Sequence, residues 1–290
     1  GVVTKTEKAV LRWWLGVWVL LSFVLILGSL SYYLVALSAE VVYVIILLTP
    51  AVVLWAAKHS PHKPLFAHAH HLWKEKKHRI PGFVFLLSAL FLILLSIFFS
   101  VLADYQVTEA VRSVWERLPG GVFLLFAFAA FILFSLLFRG KERALTILLF
   151  SLLLFSAISV AATVFTIGFG FDSFIHKATE AHLAEYGTIS PKPFYYIGQY
   201  ALVLFAHHGF LLPVDLVDTY LVPVLTALLL PSAWYFASAH ITRKRSVAMI
   251  SLVGLFLLPI STFIVTTPQA LANLWTLLIV LGSVPYLLEK

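Results

Sequence analysis

Between Phe83 and Ala103 the sequence reads "FVFLLSALFLILLSIFFSVLA", a run without a single charge, glycine or proline. A helix needs roughly 17 to 25 such residues to cross the hydrocarbon core of a bilayer. Apolar runs near this length recur along all 290 positions. They are continuous rather than alternating, and few turn signals interrupt them, which selects helices over a β-barrel. The expected fold class is therefore all-α, a polytopic transmembrane helical protein.

Composition narrows the function classes. Hydrophobic residues make up 61% of the chain and charged residues only 11%, with a mean hydropathy of +0.99, whereas soluble domains carry roughly 25% charged residues. Cysteine is absent, which removes disulfides, thiolate catalysis and cysteine-based zinc sites together. A net charge of +7 would point to nucleic acid in a soluble protein. Here basic residues belong in cytoplasmic loops and beside anionic membrane lipid, so no nucleic-acid partner is expected. The first apolar run is too long for a signal-peptide core and lacks a cleavage site, so it reads as a retained span. The chain opens at Gly1 rather than Met, which leads us to expect a trimmed chain or a fragment.

The spacing predicts spans at about 13–37, 41–57, 81–103, 120–138 and 144–167. With the N-terminus in the cytoplasm, Lys5, Lys8, Arg12, the six Lys/Arg of 58–79, and Arg139, Lys141 and Arg143 all fall inside. Two more apolar stretches follow, "FYYIGQYALVLFAHHGFLL" and "DTYLVPVLTALLLPSAWYFASAH", and then "ITRKRS". If both crossed, Arg243, Lys244 and Arg245 would lie outside. The first carries Gly198, Gln199, His207 and His208, so it is expected to lie along the outer interface. Spans at about 216–239, 247–265 and 271–287 complete about eight crossings, with sixteen of the twenty Lys/Arg inside and nine of the thirteen Asp/Glu outside. The expected location is the cell (inner) membrane.

Between the fifth span and that interfacial stretch lies "GFGFDSFIHKATEAHLAEYG" (168–187). At helical pitch Asp172, His176, Thr179 and Glu180 share an arc of roughly a third of a turn, flanked by Ser173 and Lys177. Phe171, Phe174, Ile175 and Ala178 occupy the other face. A short helix lying on the outer leaflet is expected, greasy side down, with its polar side toward solvent or a cavity. Asp172 also suits a plain helix N-cap after a glycine-rich turn.

The span ending in "GFGFDSFIH", the short helix, "EYGTISPKP", the helix with "YYIGQY" and the crossing that starts at "VDTYLVP" together resemble the first outer loop of the GT-C superfamily. These are membrane glycosyltransferases, including oligosaccharyltransferases, that use polyprenyl-phosphate sugars. The outer "TTPQALANLW" at 266–275 is also similar to a short loop in prokaryotic members. The resemblance covers about 144–290, so it divides the chain into an N-terminal four-span region, 1–143, and a GT-C-like module, 144–290, with two juxtamembrane helices in an outer loop, 168–215.

What the resemblance implies is sugar transfer from a polyprenyl-phosphate donor to an acceptor at the outer face, with Asp172 as the catalytic carboxylate. His176, Lys177 and Lys192 would engage the leaving phosphate. In the amide-glycosylating branch acidic residues hold a divalent metal, Mg²⁺ or Mn²⁺, and Glu180 would then be a second ligand. Family members have fewer spans before the loop and more after it, so further membrane subunits are a possible completion of the site. The rival expectations are a transporter or lipid flippase, or a non-catalytic membrane subunit. Against a transporter, the spans hold almost no ionisable residues.

Three other groups invite simpler readings. His59, His62, His68, His70, His71 and His78 follow no metal-ligand spacing and sit among six lysines and arginines, as in a cytoplasmic loop touching anionic lipid. Val107, Val111, Val114 and Leu118 predict one face of an outer interfacial helix. Asp215 and Asp218 fit the start of a crossing helix.

Overall fold

The computed structural model describes residues 5–59, 80–109, 111–139 and 142–288. The histidine-rich loop therefore lies outside the described residues, apart from His59. The described chain is all-helical; the one extended pairing is an isolated parallel bridge between Val107 and Phe165. The principal helices are α1 (Lys5–Leu34), α2 (Ala39–His59), α3 (Gly82–Asp104), α4 (Gly121–Arg139), α5 (Arg143–Ile158), α6 (Val160–Val164), α7 (Asp172–Tyr186), α8 (Ile197–Phe210), α9 (Val214–Thr242), α10 (Arg245–Ser251) and α11 (Pro268–Leu288).

Five helices are long and apolar enough to cross a membrane: Trp13–Leu34, Gly82–Asp104, Gly121–Arg139, Val214–Thr242 and Pro268–Pro285. The apolar helices Ala39–Val52, Arg143–Ile158 and Arg245–Leu257 are shorter. These helices mark the chain as an integral membrane protein. Their outward faces are correspondingly apolar, as Phe85, Leu86, Leu124 and Phe131 show.

Two of the expected spans are not continuous α-helices. The one over 144–167 breaks at Ser159 between α5 and α6 and ends in the extended Phe165. The one over 247–265 is α-helical only to Ser251. It continues as two 3₁₀ turns, Leu252–Leu257 and Ile260–Phe263, divided by the extended Leu258 and by Pro259. Proline lacks the donor that an α-helix would need there. Nor do the described residues of 107–118 form the expected interfacial helix. A single 3₁₀ turn, Val114–Glu116, forms instead, because Val107 donates to Val164 O (2.8 Å) and accepts from Thr166 N (3.3 Å). That backbone pairing uses the extended conformation that β-branched residues favour.

The chain divides into two compact units. The first comprises 1–15, 80–176 and 218–290; the second comprises 16–79 and 177–217. In the first, α3 and α4 pack together, and Phe98, Leu102, Val122, Val160 and Val164 form an apolar core at one end. Trp14 Nε1 donates to Leu229 O (2.9 Å), and Trp234 Nε1 to Ser251 O (2.9 Å). In the second, Tyr32, Leu37, Val42, Leu183, Ile197 and Leu204 make the core. There α1 approaches α8 so closely that a Cβ on Gly28 would lie 2.5 Å from Ala201 Cβ. Small residues allow such backbone approach where helices associate in lipid.

Candidate functional site

Asp172 opens α7, immediately after a turn that needs glycine. Gly168 and Gly170 have φ of +134° and +84°, a region open to glycine and strained for other residues. A Cβ on Gly168 would also meet the ring of Phe174 at 3.2 Å. The turn is tied by Ser173, whose Oγ lies 2.9 Å from Phe169 O and 3.1 Å from Gly170 O. Ser173, rather than Asp172, is the side chain that fastens this backbone.

The exposed Asp172 carboxylate lines a hollow of about 360 Å³. Residues 170–173 form one side; Ser261, Thr262, Thr267 and Gln269 supply polar groups on the other. That second side is held by specific bonds. Thr266 Oγ1 accepts from Val222 N of α9 (3.2 Å), and Thr267 caps α11, its Oγ1 accepting from Ala270 N (3.2 Å). Pro268 follows as the first helical residue, where its missing N–H is no loss. The positive end of the α11 dipole therefore lies at the hollow, where it favours a negative group.

His176, one turn beyond Asp172, is 8% exposed. Burial pushes its imidazole below the ordinary histidine range, and the Asp172 charge opposes that shift. His176 is thus biased toward the neutral form.

Of the predicted site residues only Asp172 lines the hollow; His176, Lys177, Glu180 and Lys192 do not. Lys177 Nζ lies 3.0 Å from Asp215 Oδ1. Glu180 is fully buried, and its Oε1 accepts from Gln199 Nε2 (2.8 Å). Lys192 Nζ donates toward Tyr32 O (2.8 Å), Tyr33 O (3.3 Å) and Val35 O (3.2 Å), the carbonyls that end α1. A lysine so placed satisfies carbonyls that have no partner within their own helix. Its geometry is that of a helix cap. His207 Nδ1 lies 2.6 Å from Leu212 O, just past the end of α8, so it marks the end of that helix.

The face of α7 expected to be apolar is exposed at Phe171, Phe174, Ile175 and Ala178, as a lipid-facing surface requires. The polar face is divided: Asp172 is exposed, whereas His176 and Glu180 are each buried. Sequence reasoning missed Gln199 as the partner of Glu180, although a glutamine in an apolar helix was a signal. It also missed Ser261 and Thr262, whose hydroxyls carry no spacing signature. Among the described residues, no group of three or more His, Asp or Glu side chains could hold a metal ion. Among the described residues Asp172 is the one carboxylate lining the hollow, and a lone carboxylate is a poor fit for a divalent metal that needs several oxygen ligands.

The hollow offers a carboxylate that can take a proton, hydroxyl and amide groups that can orient a polyhydroxylated molecule, and a helix terminus suited to an anion. No protein-family model matches the chain, and neither curated proteins nor solved structures match it.

Proposed function

We propose that the chain is a membrane glycosyltransferase of GT-C-like type, or a large part of one, acting at the outer face of the cell membrane. It transfers a sugar from a polyprenyl-phosphate donor to a hydroxyl acceptor. The observation that carries this reading is the hollow itself: Asp172 shares it with Ser261, Thr262, Thr267 and Gln269.

The eight-crossing topology belongs to the same proposal, with the three shorter apolar helices completing the five long ones. It is supported by which chain ends meet within each unit. Asp172 meets Thr267 and Gln269, and Val107 pairs with Phe165; the topology assigns all of these to the outside. In the second unit Leu37 N donates to Gly187 O (2.7 Å), again joining two outer segments. Pro81, Arg139 and Glu142 come together at another hollow, and all three are assigned inside.

In the reaction the acceptor oxygen bonds to the anomeric carbon as the bond from that carbon to the phosphate oxygen breaks. The electron pair leaves with the phosphate, and the acceptor proton passes to Asp172. General-base assistance of this kind contributes about 10²- to 10⁴-fold. The α11 terminus stabilises the charge that grows on the phosphate.

The test is Asp172→Asn in the complete, active assembly, assayed with a radiolabelled lipid-linked sugar. Transfer should fall by about 10²-fold or more while the protein remains monodisperse. Unchanged turnover removes the assignment, and substrate uptake into proteoliposomes without transfer would favour a transporter.

A further inference from the structure

The segment "GTISPKPFYY", residues 187–196, joins α7 to α8. Both of its ends are fixed in the second unit. Gly187 O accepts from Leu37 N (2.7 Å), Ile189 packs on the cluster around Tyr32 and Leu183, and Ile197, the first residue of α8, belongs to that cluster. The middle of the segment is strapped to the last turn of α1. Lys192 Nζ reaches three carbonyls there, Tyr33 Oη donates to Pro193 O (3.0 Å), and the Phe194 ring stacks on that of Tyr33 with 6.4 Å between centroids. Yet Phe194 is 90% exposed and Tyr195 63%. A strap fastened at its ends and its middle, with these rings still outside, presents them in a fixed place.

The depth of that place follows from α1. Its apolar span, Trp13–Leu34, has 22 residues, enough to cover the roughly 30 Å hydrocarbon core, so Tyr33 and Leu34 lie at the headgroup boundary. Val19, Ile26, Leu30 and Leu34 are exposed and recur at helical spacing as one lipid-facing stripe. The Tyr33–Phe194 pair continues that stripe past the helix end. An irregular backbone does not enter hydrocarbon, where its polar groups would lack partners. Pro191 and Pro193 have no N–H to satisfy, which suits the strap to the boundary itself, the level that aromatic side chains favour. Lys192 is the only charged residue of the strap. Its ammonium is engaged by the α1 carbonyls and lies 5.4 Å from the centroid of the Tyr32 ring.

We propose that Phe194 and Tyr195 form an interfacial anchor. Both rings dip into the boundary between headgroups and acyl chains in the leaflet at the C-terminal end of α1, while the backbone of 190–193 stays at the headgroups. The partner is the lipid surface, because the rings prolong a stripe of α1 that already faces lipid. Apolar burial holds the anchor, and the one cation of the strap is engaged within the protein, so the anchor does not select headgroup charge. It fixes the depth of the α7–α8 connection and is independent of sugar transfer.

The chain contains no cysteine, so a single introduced cysteine carries a nitroxide label at a known position. The full chain with Tyr195→Cys is labelled and placed in phosphatidylcholine vesicles. Electron paramagnetic resonance then compares collisions of the label with oxygen, which partitions into lipid, and with a water-soluble nickel chelate. A label at Leu30→Cys is the hydrocarbon reference, and the free label is the aqueous one. The oxygen-to-nickel ratio at 195 should fall between the two references. It should be the same in vesicles containing phosphatidylglycerol and at about 1 M salt, where the Debye length is roughly 3 Å. Adding Phe194→Ser, a change at an exposed side chain, should shift the ratio toward the aqueous reference while the protein remains monodisperse. Four results would each overturn the proposal: a ratio at 195 equal to that of the free label, a label shielded from both reagents as a second protein copy would shield it, a ratio that depends on phosphatidylglycerol or collapses in salt, or a ratio that Phe194→Ser leaves unchanged.

Discussion

Asp172 and Glu180 are two turns apart on one helix, and their surroundings are opposite. Asp172 is exposed on the rim of a polar hollow, while Glu180 has no exposed surface and accepts a hydrogen bond from Gln199 at 2.8 Å. A carboxylate that can serve many ligands must remain accessible, and one sealed in a core must be matched by its neighbours. The same side-chain chemistry thus gives an accessible group in one region and a structural tie in the other. Exchanging the perturbation between them separates the two roles.

The largest expected effect is on catalysis. Asp172→Asn should remove about 10²-fold or more of the transfer rate and leave the melting temperature in detergent unchanged, because Ser173 fastens the turn. A fall in stability as large as that of a core mutant would put Asp172 in the structural class with Glu180.

Next comes the buried pair. Gln199→Leu leaves Glu180 without its amide donor inside the core and should destabilise the second unit by about 1–3 kcal/mol. Glu180→Gln, close in shape, should lose much less and should leave transfer intact. Thermal unfolding followed by circular dichroism reads both. Loss of transfer in a fully folded Glu180→Gln variant would return Glu180 to the site.

The contrast also shows what the sequence made legible. Apolar runs announce themselves, because lipid imposes one composition over a whole helix; hence α1, α3, α4, α9 and α11 appear where expected. The place of Asp172 at the start of a helix was legible as well, since the turn made by Gly168 and Gly170 is local. Burial of Glu180 was not. It depends on α8, which brings Gln199 from nineteen residues away, and helical pitch places a residue on a face without saying what covers it. Lys192 misled for the same reason: it is close in sequence to the acidic helix, but its partners are carbonyls about 160 residues earlier. The valines of 107–114 kept helical spacing while the backbone at Val107 paired with Phe165.

Lys192 gives a smaller and sharper test. As a cap on α1 it should contribute about 1 kcal/mol through charge-assisted contacts to the helix end. Lys192→Met should therefore lower the melting temperature and leave the Michaelis constant for the lipid-linked donor unchanged. A raised constant with unaltered stability would instead place Lys192 at the phosphate.

The smallest effect joins the two carboxylates through the histidine between them. Burial holds the His176 pKa below its ordinary value, so the unfolded chain takes up a proton near pH 6.5 while the folded chain still resists it. Stability from the neutral ring is complete above that pH. It is lost as pH falls from the unfolded pKa through the folded one, because the unfolded state binds more protons there. Acidification from pH 7.5 to 5.5 should thus lower the melting temperature more in wild type than in His176→Asn. Asp172 opposes the shift. Removing its charge in Asp172→Asn should drive the His176 pKa lower still and steepen the acid loss, even though stability at pH 7.5 is unchanged. An identical acid slope in wild type and Asp172→Asn would mean that Asp172 and His176 do not sense one another, and the electrostatic link between the exposed rim and the buried face of α7 would be gone.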